Sequence, residues 1–173
     1  MNRDKIKNAI RNIPDFPKPG IQFKDNTTLL LDHGAFSESI DIFCEEFGNS
    51  EIDLIVGIES RGFIFGAPLA LRLGCPFAIV RKPGKLPAET VSAEYELEYG
   101  TDAVEMHKDA VKRGDRVLII DDLIATGGTA QAVGELVTKC QGDIAGFAFL
   151  LNLAELKGPD MLKPHPVFAI IDF

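Results

Sequence analysis

The chain has 173 residues, which suits one domain with a buried core, and its 46% hydrophobic and 25% charged residues are typical of a globular protein. Its formal net charge of −8 disfavours nucleic acid and anionic membrane surfaces as partners, because both select for basic faces. No apolar run approaches the roughly 20 residues that cross a bilayer, and the three cysteines are too scattered for a disulfide framework. We therefore expect a cytoplasmic protein without a membrane partner.

The N-terminal part of the chain shows helical rather than strand-like spacing. Apolar residues at helical intervals predict a helix over residues 2–13 that ends at Pro14, and a second helix over 35–47 that ends at Gly48. The prolines and the glycine of 14–20 predict a loop between them, because they suit neither regular structure.

The rest of the chain alternates between short apolar runs and helical stretches. The apolar runs predict buried strands at 54–56, 77–80, 117–120, 147–151 and 167–171. Helices are predicted over 63–73, ended by Gly74, and over 129–140. This alternation predicts an α/β fold with a parallel sheet covered on both faces, within a single domain that spans 1–173.

One segment, 82–112, interrupts the alternation with a long, charged insertion of weak periodicity. The alternation of side chains across 91–97 predicts an exposed hairpin rather than a helix. Long insertions in compact domains are usually functional lids or flexible segments, so this one is a candidate lid.

The most informative stretch joins a buried strand to a loop of small residues. The strand over 117–120 ends at two adjacent acids, and the loop leads into the helix over 129–140. Ligands bind at this edge of open α/β sheets, and the N–H groups of a helix N-terminus favour a phosphate. Adjacent acids fit a pair of ribose hydroxyls or a hydrated Mg²⁺, whereas the alternative is a solvated strand end before a plain turn. The whole string favours a ribose 5-phosphate site made of Asp121, Asp122, Ala125, Thr126, Gly127, Gly128 and Thr129.

The string VLIIDDLIATGGT over 117–129 resembles the phosphoribosyl pyrophosphate signature of the type I phosphoribosyltransferases. Four further segments resemble the adenine-specific members: FPKPG at 16–20, GIESRGF at 57–63, RKPGKLP at 81–87 and LEYG at 97–100. The resemblance implies a mostly parallel central sheet flanked by helices, a small N-terminal hood (1–34) and a mobile lid hairpin (82–112). It also implies an Mg²⁺-dependent homodimer that converts adenine and phosphoribosyl pyrophosphate into AMP and pyrophosphate in purine salvage.

Two strand-end segments are candidates for holding pyrophosphate. The guanidinium of Arg61 could grip an anion, although it could instead pair with Glu59 on the surface. Three cations lie within residues 81–85, and a charge run of this kind is usually a solvated face unless it reaches the ligand edge of the sheet. The resemblance implies a strained peptide in the first loop and allows Lys85 to come from a neighbouring subunit. It assigns the pyrophosphate contacts to Glu59, Ser60, Arg61, Arg81, Lys82 and Lys85.

The resemblance also implies residues around the base. Lys24 stands where relatives often carry arginine, and a lysine cannot reproduce the planar fork of a guanidinium. The acid or base for the adenine proton is Glu105, and Arg61 assists the leaving group. Tyr99 would close the lid or act only in packing. Mg²⁺ would be held mainly by the substrate, without a dedicated protein ligand apart from a contribution by Asp121. The adenine contacts are assigned to Gln22, Phe23, Lys24 and Leu123, with a purely core role as the alternative for Phe23.

Two other functions stay open on the sequence. A 6-oxopurine phosphoribosyltransferase would need a donor aimed at O6, and Lys24 is the only reason to consider one. A regulator that senses phosphoribosyl pyrophosphate without turnover usually adds a DNA-binding segment, and this acidic chain has no spare domain for it.

Overall fold

The computed structural model describes residues 2–96 and 100–173. Its helices are α1 (Arg3–Asn8), α2 (Thr27–Leu31), α3 (His33–Phe47), α4 (Gly62–Leu73), α5 (Gly128–Lys139) and α6 (Gly158–Met161), with a 3₁₀ turn at Ala154–Leu156. Its strands are β1 (Arg11–Pro14), β2 (Gln22–Asp25), β3 (Leu54–Ile58), β4 (Phe77–Val80), β5 (Thr90–Glu96), β6 (Thr101–His107), β7 (Arg116–Ile124), β8 (Asp143–Asn152) and β9 (Val167–Asp172). No described helix has both the length and the apolar character that a membrane crossing requires.

Five parallel strands form the central sheet in the order β4-β3-β7-β8-β9, and each covers one of the predicted apolar runs. Successive side chains point to opposite faces of the sheet. Leu54 and Val56 therefore pack into a cluster with α5, whereas Ile55 packs with α3 and α4 on the other face. The predicted α/β fold with both faces covered is confirmed. Because the helices occupy the faces, the loops at the carboxyl ends of the strands are left to form a site.

The predicted helix over 2–13 is wrong in its second half. Helix α1 stops at Asn8, and β1 pairs antiparallel with β2, with Ile13 opposite Phe23. Apolar residues at 6, 10 and 13 fit a helix equally well, but the strand pairing gains ladder hydrogen bonds and an ion pair between Arg11 and Asp25 at 2.5 Å. This small hairpin forms part of the predicted hood.

The predicted helix ends at Gly48 and Gly74 are confirmed. Gly48 is the C-cap of α3, and Gly74 follows α4 with a φ of 72°, a left-handed conformation that glycine adopts without strain. Helix α3 starts at His33, before the predicted residue 35, because the side chain of Asp32 caps it by accepting the N–H of Ala35 at 3.0 Å.

The predicted hairpin in the insertion is present as strands β5 and β6, which pair antiparallel. We call these two strands the lid hairpin. Its inner face is buried against α5 through Ala93, Val104 and Met106, and the Lys139 ammonium donates to the Ser92 carbonyl at 2.8 Å. The described part of the hairpin is therefore joined to the core, and its predicted mobility stays a prediction. Tyr99, the predicted lid residue, lies outside the described residues.

Candidate active site

A cavity of about 340 Å³ opens at the carboxyl ends of β3, β4 and β7. The edge is the one that the sequence pattern predicts for a ligand in an open α/β sheet. Tyr95 of the lid hairpin and Val104 close one side of it. The predicted site residues that line this cavity are Glu59, Ser60, Arg61, Arg81, Lys82, Asp121, Asp122, Leu123 and Thr129.

A second cavity of about 180 Å³ lies against the start of α5 and shares Asp121, Leu123 and Thr129 with the first. Its remaining lining includes the predicted loop residues Ala125, Thr126, Gly127 and Gly128. Gly127 has a φ of 93°, and a Cβ on it would lie 2.6 Å from the Gly158 carbonyl oxygen. The loop therefore needs glycine for its backbone conformation and for its close approach to α6. The loop leads into α5, and the unpaired N–H groups at a helix N-terminus favour a small anion.

The two adjacent acids have different surroundings. Asp121 accepts the backbone N–H of Asp122 at 2.8 Å and lines both cavities. Burial, followed by the charge of Asp122, raises the pKa of Asp121 well above its usual range. Asp122 is only 5% exposed, and its Oδ2 lies 2.9 Å from Nε of Arg61. Arg61 therefore pairs with Asp122, and not with Glu59 as the surface alternative had it.

Glu59 organises the cations at the ends of β3 and β4. Its Oε1 accepts from Arg81 at 2.8 Å and from Lys85 at 3.0 Å, and its Oε2 accepts the backbone N–H of Lys82 at 2.8 Å. The hydrogen bond from Arg81, with smaller contributions from Lys82 and Lys85, lowers the pKa of Glu59 to about 2. A carboxylate held in this way repels a diphosphate, so its contacts favour a supporting role over the predicted direct contact. The Glu59–Ser60 peptide is cis.

Lys82 is engaged by the lid hairpin. Its ammonium donates to the Tyr95 hydroxyl at 2.7 Å and forms a short ion pair with Asp102. Burial disfavours its charge, but the bonds to Asp102 and Tyr95 outweigh burial and raise the pKa of Lys82. Lys82 also lines the larger cavity, and these two acceptors leave its ammonium a third N–H.

The hood places one predicted adenine residue beside the cavity lining. The Phe23 ring lies 5.9 Å from Cζ of Arg61 and packs edge-on against Phe16 at 5.2 Å. The other two hood residues turn elsewhere: Gln22 accepts from Asn12 at 2.7 Å, and the Lys24 ammonium donates to Asn12 at 3.0 Å. That ammonium also lies 4.4 Å from the ring centroid of Phe173. Of the predicted adenine residues, Leu123 therefore lines both cavities and Phe23 lies beside Arg61 at their edge.

The predicted acid or base, Glu105, does not line either of the two cavities. It lies at the root of the lid hairpin, where its backbone forms a two-way bridge with Arg81. Its Oε2 accepts the N–H of Gly84 at 3.1 Å. These contacts fasten the 81–85 turn to β6, so they favour a structural role for Glu105.

Several residues with clear tasks in the site were missed by sequence reasoning. Asn26 donates to Asp122 Oδ2 at 2.7 Å, and Tyr95 and Asp102 hold Lys82. Gly158 lies in close contact with Gly127 of the loop before α5. No local pattern marks these residues, because each acts on a partner that is distant in the sequence.

Comparisons with known proteins agree with this geometry. Residues 27–172 match the family described as the phosphoribosyl transferase domain. The adenine phosphoribosyltransferase of Chloroflexus aurantiacus is 55% identical over 173 residues and covers 100% of both chains. The crystal structure of the Thermoanaerobacter pseudethanolicus adenine phosphoribosyltransferase superposes with a TM-score of 0.96 at 52% identity, covering 99% of this chain and 100% of that one.

A third relative was solved with ligands. The Saccharomyces cerevisiae adenine phosphoribosyltransferase, complexed with adenine and an imino-altritol bisphosphate, superposes with a TM-score of 0.93 at 44% identity over 98% of each chain. The fold and the order of the strand-end segments match the predicted type I phosphoribosyltransferase architecture. This chain belongs to the adenine phosphoribosyltransferase family.

Proposed function

We propose that this chain transfers the 5-phosphoribosyl group of phosphoribosyl pyrophosphate to N9 of adenine, giving AMP and pyrophosphate in purine salvage. The observation that carries this proposal is that the two cavities adjoin and share Asp121, Leu123 and Thr129 in their linings. The small-residue loop, the acid pair and the cation cluster therefore border adjoining cavities, and the Phe23 ring lies beside Arg61 at their edge. That order matches the order of phosphate, ribose, diphosphate and base around the reacting carbon.

The loop and the acids would hold the ribose 5-phosphate. The N–H groups of 126–129 and the dipole of α5 favour the 5-phosphate in the smaller cavity. Asp121 lies between the two cavities, where a carboxylate accepts ribose hydroxyls and stabilises positive charge on the sugar. Asp122 contributes by fixing Arg61 at 2.9 Å.

The cation cluster would hold the diphosphate. Arg61 and Arg81 line the larger cavity, and Lys85 is half exposed, so it can exchange Glu59 for a diphosphate oxygen. Cations placed where negative charge develops on a leaving group lower the barrier electrostatically. The surroundings also fit Mg²⁺, because among the described residues Asp121 is the cavity acid without a basic side-chain partner within ion-pair distance. When bound, Mg²⁺ neutralises diphosphate charge, while the substrate supplies most of its ligands.

The base would lie between Phe23 of the hood and Leu123 of the signature. Stacking on an aromatic ring and an apolar contact on the other face fix a purine without specifying its edge. The 6-oxopurine alternative needs a free donor for O6, and Lys24 is already bonded to Asn12 and placed over Phe173. This arrangement favours a 6-aminopurine that is recognised by backbone groups of the hood.

The reaction forms one bond and breaks another at the anomeric carbon. N9 of adenine forms a bond to that carbon, and the bond to diphosphate breaks, leaving its electron pair on the diphosphate oxygen. The proton on N9 passes to a proton acceptor. The sugar becomes cationic at the transition state, so water must be kept out. The lid hairpin already places Tyr95 over the cavity. The Tyr95 ring also lies close to the loop before α5, because a Cβ added to Gly128 would be 3.7 Å from it.

Two wider properties belong to the same proposal. We infer a homodimer from the resemblance, although Lys85 pairs with Glu59 of its own chain and therefore needs no second subunit to reach the cluster. We also infer a cytoplasmic location, because Cys44, Cys75 and Cys140 are all free thiols. Light scattering coupled to gel filtration tests the dimer, since a mass near 18.9 kDa would contradict it.

The test is AMP formation from adenine and phosphoribosyl pyrophosphate with Mg²⁺, run in parallel with guanine, hypoxanthine and xanthine. Turnover of adenine alone supports the proposal. Turnover of an oxopurine would keep the phosphoribosyl site and discard the assignment of the base. Phosphoribosyl pyrophosphate that binds without turnover of any base would instead indicate a sensor.

A matched pair of lysine variants tests the diphosphate contact. Lys85→Met removes a cation of the cluster and should raise KM for phosphoribosyl pyrophosphate about tenfold. Lys108→Met removes an exposed lysine that pairs with Glu89 at 3.1 Å and should leave KM unchanged. Equal KM values for the two variants would remove Lys85 from the site.

A further inference from the structure

Asn26 is a buried amide that connects the hood to the signature acids. Its side chain is 1% exposed, and its Nδ2 donates to Oδ2 of Asp122 at 2.7 Å. The same oxygen of Asp122 lies 2.9 Å from Nε of Arg61. One carboxylate oxygen therefore accepts a hydrogen bond from the hood and lies within ion-pair distance of a guanidinium from the strand-end loop after β3.

Asn26, Asp122 and Arg61 are also linked to the ring of Phe23. Asn26 directly follows β2, the strand that carries Phe23. Cζ of Arg61 lies 5.9 Å from the centroid of that ring. The position of Arg61 is thus fixed on one side by the acid that Asn26 holds and on the other by the ring that precedes Asn26 in the hood.

The other end of the amide argues against a role in stability alone. Oδ1 of Asn26 is buried and has no hydrogen-bond partner among the described residues. An unsatisfied buried acceptor lowers stability and offsets the gain from the bond at the other end. Asn26 heads α2 but its side chain makes no capping bond, so it does not stabilise that helix either.

We propose that Asn26 is a positioning residue of the transfer reaction, an inference that rests on the proposed function. Its amide holds the Asp122 carboxylate in the orientation that keeps Arg61 between the base and the diphosphate. Without that donor the carboxylate can rotate about its side chain. Arg61, which is partly exposed, then follows it away from the position in which it stabilises the leaving group.

The experiment combines kinetics with thermal unfolding. In Asn26→Leu, loss of the unsatisfied acceptor offsets part of the cost of taking one donor from the buried Asp122 carboxylate, so the Tm should fall by less than about 5 °C, while kcat measured well below that Tm falls about tenfold or more. KM for adenine should change less than about twofold, because Phe23 and Leu123 are untouched. Asn26→Ser, which keeps a donor, should lose less kcat than Asn26→Leu, and it serves as the test if the leucine variant does not fold.

A double-mutant cycle with Asp122→Asn identifies the route of the effect. If Asn26 acts through Asp122, the variant with both substitutions has the kcat of Asp122→Asn alone. Multiplicative losses, a wild-type kcat in Asn26→Leu, or a loss of kcat that follows a fall in Tm would each overturn the inference. Failure of the parent protein to form AMP would instead contradict the proposed function, so the two failures are distinguishable.

Discussion

The Glu59 carboxylate lies 2.8 Å from the Arg81 guanidinium at the ends of neighbouring strands β3 and β4. Lys85 reaches the same oxygen at 3.0 Å. An acid therefore stands at the centre of the predicted pyrophosphate site, and it balances two of the cations before any substrate arrives. Glu59 keeps like charges from separating the two strand ends, and under the proposed function a diphosphate would replace it as the partner of Lys85.

Glu59→Gln should lower the free energy of unfolding at pH 7 by about 2 kcal/mol, because charge-assisted bonds to Arg81 and Lys85 are lost. The folded-state pKa of Glu59 is about 2, below its ordinary value of 4.5, so its contribution is fully present above pH 4.5. That contribution declines as the pH falls from 4.5 toward 2. Urea unfolding between pH 7 and pH 3 should therefore show the difference between parent and variant shrinking as the pH falls.

Glu89→Gln is the control for this prediction. Glu89 pairs with Lys108 but is far more exposed than Glu59, so its loss should change the free energy of unfolding by less than about 0.5 kcal/mol. A difference between parent and Glu59→Gln that is independent of pH would show that the carboxylate charge is not what stabilises the cluster.

Gly127→Ala should affect both stability and phosphate binding. A φ of 93° costs a residue with a Cβ about 1–2 kcal/mol, and the new atom would also lie 2.6 Å from the Gly158 carbonyl oxygen. We expect a total loss of about 2–4 kcal/mol in urea unfolding and a KM for phosphoribosyl pyrophosphate raised about tenfold.

Gly74→Ala separates the two causes. Gly74 has a φ of 72°, but a Cβ there would meet nothing within 4 Å. Gly74→Ala should therefore lower the free energy of unfolding by only about 1 kcal/mol, which is the cost of backbone strain. Its KM for phosphoribosyl pyrophosphate should be unchanged. If the two alanine variants lose equal stability, the contact between Gly127 and Gly158 does not shape the phosphate loop.

The sheet and the loop before α5 could be predicted from the sequence because each is marked by a local pattern of residues. The uninterrupted apolar run over 117–120 is typical of a strand that is covered on both faces, and a strand end followed by glycines indicates a ligand edge. Strand β1 could not be predicted in this way, because the spacing of its apolar residues also fits a helix. This segment is a strand because it pairs with β2.

Side-chain partners were the second gap between the sequence and the site. The run of 81–85 shows three cations, but nothing local tells that Lys82 turns to Asp102 and Lys85 to Glu59. These choices depend on which strands lie side by side and on where the lid hairpin folds back. The residue types in the site were therefore predictable, whereas the division between substrate contact and support was not.

Phe23→Leu should weaken the binding of adenine more than it weakens the binding of phosphoribosyl pyrophosphate. The substitution removes a ring that borders the base site next to Arg61, so KM for adenine should rise about tenfold. Phe36→Leu removes a ring that packs against Phe65 in the core and should lower stability with unchanged KM. Initial-rate kinetics on both variants decide the matter, and an unchanged KM for adenine in Phe23→Leu would leave Phe23 as a packing residue only.

Glu105→Gln tests whether the acid or base of the reaction lies at the root of the lid hairpin. Its carboxylate accepts the N–H of Gly84 at 3.1 Å and does not line the two cavities, and a glutamine oxygen can accept the same bond. We therefore expect kcat to fall less than about threefold, whereas loss of a general acid or base typically costs about a hundredfold or more.

The measurement is kcat at saturating adenine and phosphoribosyl pyrophosphate, together with the Tm. A hundredfold fall in kcat at an unchanged Tm would restore Glu105 to the chemistry and would require the lid hairpin to move it to the base. A small fall places the proton acceptor elsewhere. Because Glu105 is tied through its backbone to Arg81, its contribution would then be to hold the cation cluster at the end of β4.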